Sequence, residues 1–210
     1  MAEIKKTTTS KAKKPKKELA KLSRWLHIYL SMISFAIVLF FAFTGLTLNH
    51  PSWFGGDKQI DVKNSGQLNV KWVNMPDTGK IAKLEIVEFI RNKYGVRGAV
   101  TEFKTDDYEV AVTFKGPAYS CDVFIDRETG KYEITEIKMG LMALMNDLHK
   151  GRDSGKGWAL VIDVSALFLI IISLTGLILL LFIKKKRVSG VVTAVAGLIF
   201  CYLLYILLVP

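Results

Sequence analysis

The chain has 210 residues, half of them hydrophobic, with a formal net charge of +10 and only two cysteines. Those two cannot build a disulfide framework, because Cys121 lies in a polar segment and Cys201 inside an uncharged apolar run. The bases cluster beside apolar runs, which assigns the charge to membrane topology and anionic headgroups and argues against nucleic acid.

A Lys-rich head, KKTTTSKAKKPKK, has too little apolar content to pack. It predicts a disordered tail until about Leu19, and residues 1–21 are read as a basic cytoplasmic tail. Residues 28–48, IYLSMISFAIVLFFAFTGLTL, form the first run long enough to cross a hydrocarbon core of about 30 Å as a helix. The run is longer than a signal peptide's apolar stretch, and no small-residue cleavage site follows it, so it predicts a retained anchor. At 100° per residue, His27, Ser31, Ser34, Ala42, Gly45 and Asn49 fall on one face, which is expected to bury against other helices.

Residues 51–148 read as a small α+β module. Trp53-Phe54-Gly55-Gly56 marks a turn, and alternation suggests short strands near 59–62 and 68–73. Thr78 is a candidate N-cap for a helix through about Tyr94, with Ile81, Leu84, Val87 and Ile90 on one side and Gly95 as the stop. Strands are expected near 99–104, 108–115, 119–126 and 131–137, separated by Asp106-Asp107, Gly116-Pro117 and the Asp126-Arg127-Glu128-Thr129-Gly130 reversal. A helix followed by a meander is the simplest such architecture.

Residues 149–183 supply a glycine-rich loop, HKGRDSGKG, and a second run in which 164–183 carry no charge; residues 188–209 are a third. The third run carries Gly190, Ala194, Gly197 and Cys201 at helical spacing, a stripe that lets another helix approach. The predicted fold is an α+β extramembrane domain inserted in an all-α three-helix transmembrane bundle. Residues 1–24 hold nine bases against two acids, the KKKR at 184–187 joins the last two runs, and residues 51–157 hold sixteen bases and sixteen acids. The positive-inside rule therefore predicts a cytoplasmic N-terminus and KKKR loop, with the inserted domain and the short C-terminus outside.

The helix followed by YEVAVTF and SCDVFIDRETGKYEI resembles the PepSY domain, whose strands typically end in a D-x-x-T-G turn. The flanks, WLHIYLSMISFAIVLFFAFTGLTLNH and MNDLHKGRDSGKGWALVIDVSALFLIIISLTGLILL, are similar to the PepSY-associated transmembrane helix family of bacterial inner-membrane proteins. The more specific feature is a His near a membrane edge followed by Thr-Gly-Leu, which occurs in both flanks. The resemblance implies an inner-membrane protein with a periplasmic PepSY-like domain. Larger relatives with more helices resemble ferric-siderophore reductases, which implies electron transfer through haem. This chain is a short form with fewer helices and fewer histidines.

All three histidines lie at membrane edges. His27 and His50 are separated by about 34 Å along a helix and cannot share a metal. His50 and His149 fall on the same side in the predicted topology and can supply the two axial nitrogens of a b-type haem; the other reading is helix capping and headgroup contact. A haem at His27 needs a ligand from a partner subunit or a symmetry copy, or a ligand of a different type. Asp163 lies within the second apolar flank beyond Trp158, as an acceptor orienting His149 or His50, or as a carboxylate that snorkels and anchors packing. The Thr-Gly pairs 44–45 and 175–176 suit close helix packing.

No Ser-His-Asp order, zinc-binding helix, phosphate loop or dinucleotide fingerprint is present, so any chemistry is expected to be redox and cofactor-borne. Two functions remain open. One is an electron-transfer component serving a periplasmic acceptor. The other is a non-catalytic anchored module that binds a periplasmic protein, a peptidase being the partner the domain's name implies. Either accommodates a homo-oligomer.

Overall fold

The structure is a computed structural model that describes residues 13–75 and 80–210. In chain order it runs α1 (Lys13–Asn49), β1 (Gln59–Gln67), α2 (Lys83–Tyr94), β2 (Ala99–Thr105), β3 (Glu109–Gly116), β4 (Tyr119–Asp126), β5 (Lys131–Met139), α3 (Leu141–Lys150), α4 (Gly155–Phe182) and α5 (Arg187–Leu208). Helices α1, α4 and α5 are long and apolar enough to cross a membrane.

Two compact units divide the chain. The first comprises residues 1–38 and 163–210, and the second residues 39–162. In the first unit, α5 contributes no buried residue, while α4 buries Ser165 and Thr175. Helix α1 begins at Lys13, so residues 13–19 are helical where the sequence suggests disorder. Lys, Glu and Leu are good helix formers, Pro15 falls in the first turn where proline is tolerated, and the span that follows supplies the nucleus from which the helix extends outward. Ser23 and Ser34 are buried on α1, whereas Ala42 and Asn49, expected on the same face, are exposed. Toward its end α1 instead buries Thr44 and Thr47. Thr44 lies about 120° and Thr47 about 180° around the helix from the centre of the expected face, because α3 covers them.

The second unit contains a five-stranded antiparallel sheet in the order β1-β5-β4-β3-β2. The meander β2 to β5 is as the sequence suggests, and β4 has the expected bounds. Strand β1 continues to Gln67 and pairs along β5 from Gln59↔Met139 to Gln67↔Lys131. The stretch after it is not a strand. Asn69 caps a single helical turn, Val70–Trp72, by accepting from the Lys71 amide, and Leu68 and Val73 drop into the core on either side.

Helix α2 covers one face of the sheet with Ile86 and Ile90, against Val110, Val112, Phe114, Val123, Ile125 and Ile134. The alternation of these apolar residues along β3, β4 and β5 places the core on that side. The helix starts at Lys83, with Ala82 before it; Thr78 lies outside the described residues. Gly95 ends α2 in the left-handed conformation, at φ 66°.

The Asp-x-x-Thr-Gly reversal is closed by its own aspartate. Asp126 Oδ1 accepts from the Thr129 amide at 2.6 Å and the Thr129 hydroxyl at 2.7 Å, which holds the carboxyl below its usual range. Gly130 sits at φ 68°, and a Cβ there would lie 2.7 Å from the Leu68 carbonyl oxygen, so glycine is required. The intervening Arg127 is buried and donates to the Val73 and Met75 carbonyls, pinning the 73–75 loop against the sheet.

Candidate functional site

Helix α3 joins the sheet to the last turns of α1. The sequence offers Leu141, Leu144, Met145 and Leu148 at helical spacing, and Gly151 ends the helix at φ 69°. Three polar side chains on α3 fix its position. Asp147 Oδ2 accepts from the Ala118 amide at the β3–β4 turn at 2.9 Å; Asn146 Oδ1 accepts from the Thr47 hydroxyl at 2.6 Å; and His149 Nδ1 lies 2.6 Å from the Thr44 hydroxyl oxygen. The His149 ring also meets Phe41 edge-on at 5.0 Å. Trp158, at the start of α4, donates to the Leu148 carbonyl.

Proton counting fixes the tautomer of His149. The Thr44 hydroxyl has one hydrogen and gives it to the Phe40 carbonyl at 2.6 Å, so its oxygen can only accept from the imidazole. Nδ1 therefore carries the proton, and Nε2 of the neutral ring holds a lone pair. Burial, reinforced by the adjacent Lys150, lowers the pKa of His149 and favours this neutral form.

The same arrangement recurs inside the first unit. His27 Nδ1 lies 3.2 Å from the Ile172 carbonyl oxygen and 3.4 Å from the Thr175 hydroxyl, which itself donates to Ile172. A carbonyl only accepts, so His27 donates from Nδ1 and keeps its lone pair on Nε2. Each histidine thus packs on the Thr-Gly pair of the other flank. At Gly176 a Cβ would lie 2.8 Å from His27 Cε1; at Gly45 it would lie 3.8 Å from His149 Cε1. Glycine is required for the ring's approach only at position 176.

The remaining residues singled out from sequence have separate surroundings. His50 donates its amide to the Thr47 carbonyl and stacks its ring on Trp53, with centroids 4.0 Å apart and planes 8° from parallel. Asp163 is an exposed residue of α4. The hydroxyl of Thr44 orients His149. Among the described residues, no group of three or more His, Cys, Asp or Glu side chains is placed to hold a metal ion.

A second feature of the same unit was not read from sequence. A groove of about 650 Å³ lies between the β3–β4 turn, the end of α2 and the start of α3. Gly98, Gly116 and Gly140 leave main chain bare along it, and Leu141 and Leu144 supply apolar wall. At its edge the Glu136 carboxylate, 7% exposed, accepts from the Tyr119 hydroxyl at 2.9 Å and pairs with Lys138 at 2.9 Å. Burial and this bond push the Tyr119 phenol above its ordinary value. The cross-strand neighbour of Glu136, Cys121, is buried and its thiol is pushed up to about 12. A neutral phenol, a committed carboxylate and an inert thiol make a fixed polar anchor without a nucleophile or a free base.

A family model described as PepSY_TM-like matches residues 21–210, from before the first apolar run to the last residue. The chain belongs to the PepSY_TM-like family. Neither the curated proteins nor the solved structures contain a match. In this PepSY_TM-like chain the paired Thr-Gly segments noted in the sequence are docking surfaces for histidines. That reciprocity needed the fold, because each partner lies more than 100 residues away along the chain.

Two outcomes test the histidine contacts. Gly176→Ala should displace His27 and lower stability in detergent by about 1–3 kcal/mol, the cost of a disturbed buried hydrogen bond. Gly45→Ala, where the added methyl meets only ordinary contact, should be neutral or stabilising by up to about 1 kcal/mol through helix propensity; thermal unfolding of the two variants measures both.

The lowered pKa of His149 also has a sign. The native state binds fewer protons than the unfolded chain near the ordinary value of 6.5, so this contribution is fully present above pH 6.5 and is lost as pH falls through the folded value. Unfolding measured between pH 5 and pH 8 (about the range in which histidine titrates) should have a shallower acid limb in His149→Gln, which keeps a donor for Thr44 but does not titrate.

Proposed function

We propose that this chain is a membrane-anchored binding module, held in a bacterial inner membrane with its sheet domain on the periplasmic side, and that the groove beside α3 takes an extended polypeptide. The placement outside follows from the basic N-terminus and the KKKR segment, which the positive-inside rule assigns to the cytoplasm. The observation that carries the binding role is the preset Tyr119–Glu136–Lys138 anchor on a groove of about 650 Å³. Pockets of this size with few, fixed polar groups are suited to recognition. Bare glycine main chain lets another backbone come close, and β2, which follows Gly98, is an edge strand with one unpaired side. A secreted peptidase is the partner class implied by the PepSY name.

A second reading has its own supporting observation. His27 and His149 both donate from Nδ1 and present Nε2 lone pairs, the orientation that hydrogen-bonded carbonyls and hydroxyls impose on metal-ligating imidazoles. On this reading the chain is an electron-transfer component in which His149 and His50 would hold a b-type haem, and His27 would need a further ligand from a partner. A bound haem would supply one-electron chemistry, and the protein's part would be the orientation of the rings by Thr44 and Ile172.

The groove is tested in native membranes with a photoreactive residue at Leu144 and, as control, at Phe124, which is exposed on the sheet. Position 144 should give several-fold more polypeptide adduct, and Tyr119→Phe should reduce it; equal yields from the two positions would end the binding proposal. For the second reading, the purified full chain is expected to absorb in the Soret region and to lose that band in His149→Ala. A chain that stays colourless after expression with haem supplied refutes it.

A further inference from the structure

The segment that leaves α1 turns back on it. His50 donates to Thr47, Trp53 to His50, Gly55 to Ser52 and Gly56 to Trp53, a chain of main-chain bonds that coils residues 50–56 into a compact knot directly after the span. Phe54 occupies the left-handed region at φ 55° and ψ 22°, a conformation that a bulky aromatic residue rarely adopts. Its ring is 71% exposed and lies beside Phe43, with centroids 6.0 Å apart. Phe43 lies six residues before the end of α1, about 9 Å back along the helix.

Phe54 is therefore folded alongside the last turns of a membrane-length helix instead of into the domain core. Trp53, 45% exposed, is steadied by the His50 ring beside it. The start of α3 packs against the back of the knot: a Cβ on Gly56 would lie 3.3 Å from Met142 Cβ, and Leu141 next to it is 65% exposed. Trp53 and Phe54 thus form an exposed aromatic pair whose inner side is filled by α3.

We propose that this patch is a membrane-seating surface: Trp53 and Phe54 insert into the headgroup and upper acyl region of the bilayer that α1 crosses, and so seat the sheet domain on the lipid. The occupant is lipid because the patch is continuous with the lipid-exposed flank of α1, through Phe43. Aromatic rings with a polar edge partition to that zone. The left-handed turn at Phe54 directs the ring toward the helix, and the His50 stack fixes Trp53 beside it. On this account His50 is a positioning residue for Trp53.

The test uses the full chain in nanodiscs of phosphatidylcholine and phosphatidylglycerol. A nitroxide is placed at Phe54→Cys in a Cys201→Ser background, where Cys121 stays unlabelled because it is buried and its thiol is pushed up to about 12. The same label goes at Phe124→Cys, on the sheet, and at Leu198→Cys, on α5. The label at 54 is expected to collide with oxygen and to be shielded several-fold from a water-soluble nickel chelate relative to 124, approaching the behaviour of 198. Nickel accessibility at 54 equal to that at 124 overturns the proposal. A second measurement avoids the substitution at 54: lipids brominated near the glycerol end of the acyl chain should quench the wild-type fluorescence more than that of Trp53→Phe, and equal quenching of the two also overturns it.

Discussion

A threonine hydroxyl has one hydrogen to give, and in a helix within a bilayer it must choose between its own backbone and a neighbour. In this chain Thr44 and Thr175 give theirs to carbonyls of their own helices and leave their oxygens as acceptors. The histidine that packs on each Thr-Gly pair is then held in one tautomer. Of the two neutral tautomers, only the one with its proton on Nδ1 satisfies Thr44 without leaving two lone pairs facing each other across 2.6 Å. In the second unit, this one proton assignment ties α3 to α1, and α3 in turn ties α1 to the sheet through Asp147 and the Ala118 amide.

That linkage makes α3 a strap bonded both to α1 and to the β3–β4 turn, not a spacer. Its polar residues are used up in the attachment: Asn146 on Thr47, Asp147 on the β3–β4 turn, His149 on Thr44. Its apolar residues Leu141 and Leu144 remain to line the groove. The backbone at the attachment is itself constrained. Ala118 takes φ 55° in the turn after Pro117, where glycine would be free of strain, and its amide and carbonyl are bonded to Asp147 and Met139. A strained turn held from both sides gives the groove a rigid rim, which favours recognition by lowering the ordering cost of binding.

The sequence carried the fold further than the site. Strands β2 to β5 were legible because alternation along each strand and glycine or aspartate turns between them agree, and the apolar runs because nothing else explains twenty uncharged residues together. The stretch at 68–73 misled, since Leu68 and Val73 have the apolar character of a strand while Asn69 captures the Lys71 amide and turns the chain. Leu141, Leu144, Met145 and Leu148 of helix α3 have the right period, but ten residues directly before a glycine-rich loop carry too weak a signal to mark a separate helix. At the histidines, position along the chain could place His27, His50 and His149 near membrane edges but could not say what each ring touches. The expected face of α1 failed at Ala42 and Asn49 for the same reason: helical periodicity locates a face only when one neighbour covers the whole helix, and α3 covers the end of this one from another side.

The two functional readings differ in what they require of the same bonds. For a binding module the histidine contacts are purely structural, and their Nε2 lone pairs are incidental. For an electron carrier those lone pairs are the point, and the hydroxyl and carbonyl partners serve to raise ring basicity. The groove distinguishes the two more sharply than the histidines do. Its Glu136 carboxylate is already neutralised by Lys138 and bonded by Tyr119, and much of its wall is main chain and leucine, a composition suited to holding a chain in place. A protein that spent Asn146, Asp147 and His149 on fixing the strap beside that groove has arranged its polar chemistry around the shape of the groove, and the binding reading is the one in which that shape matters.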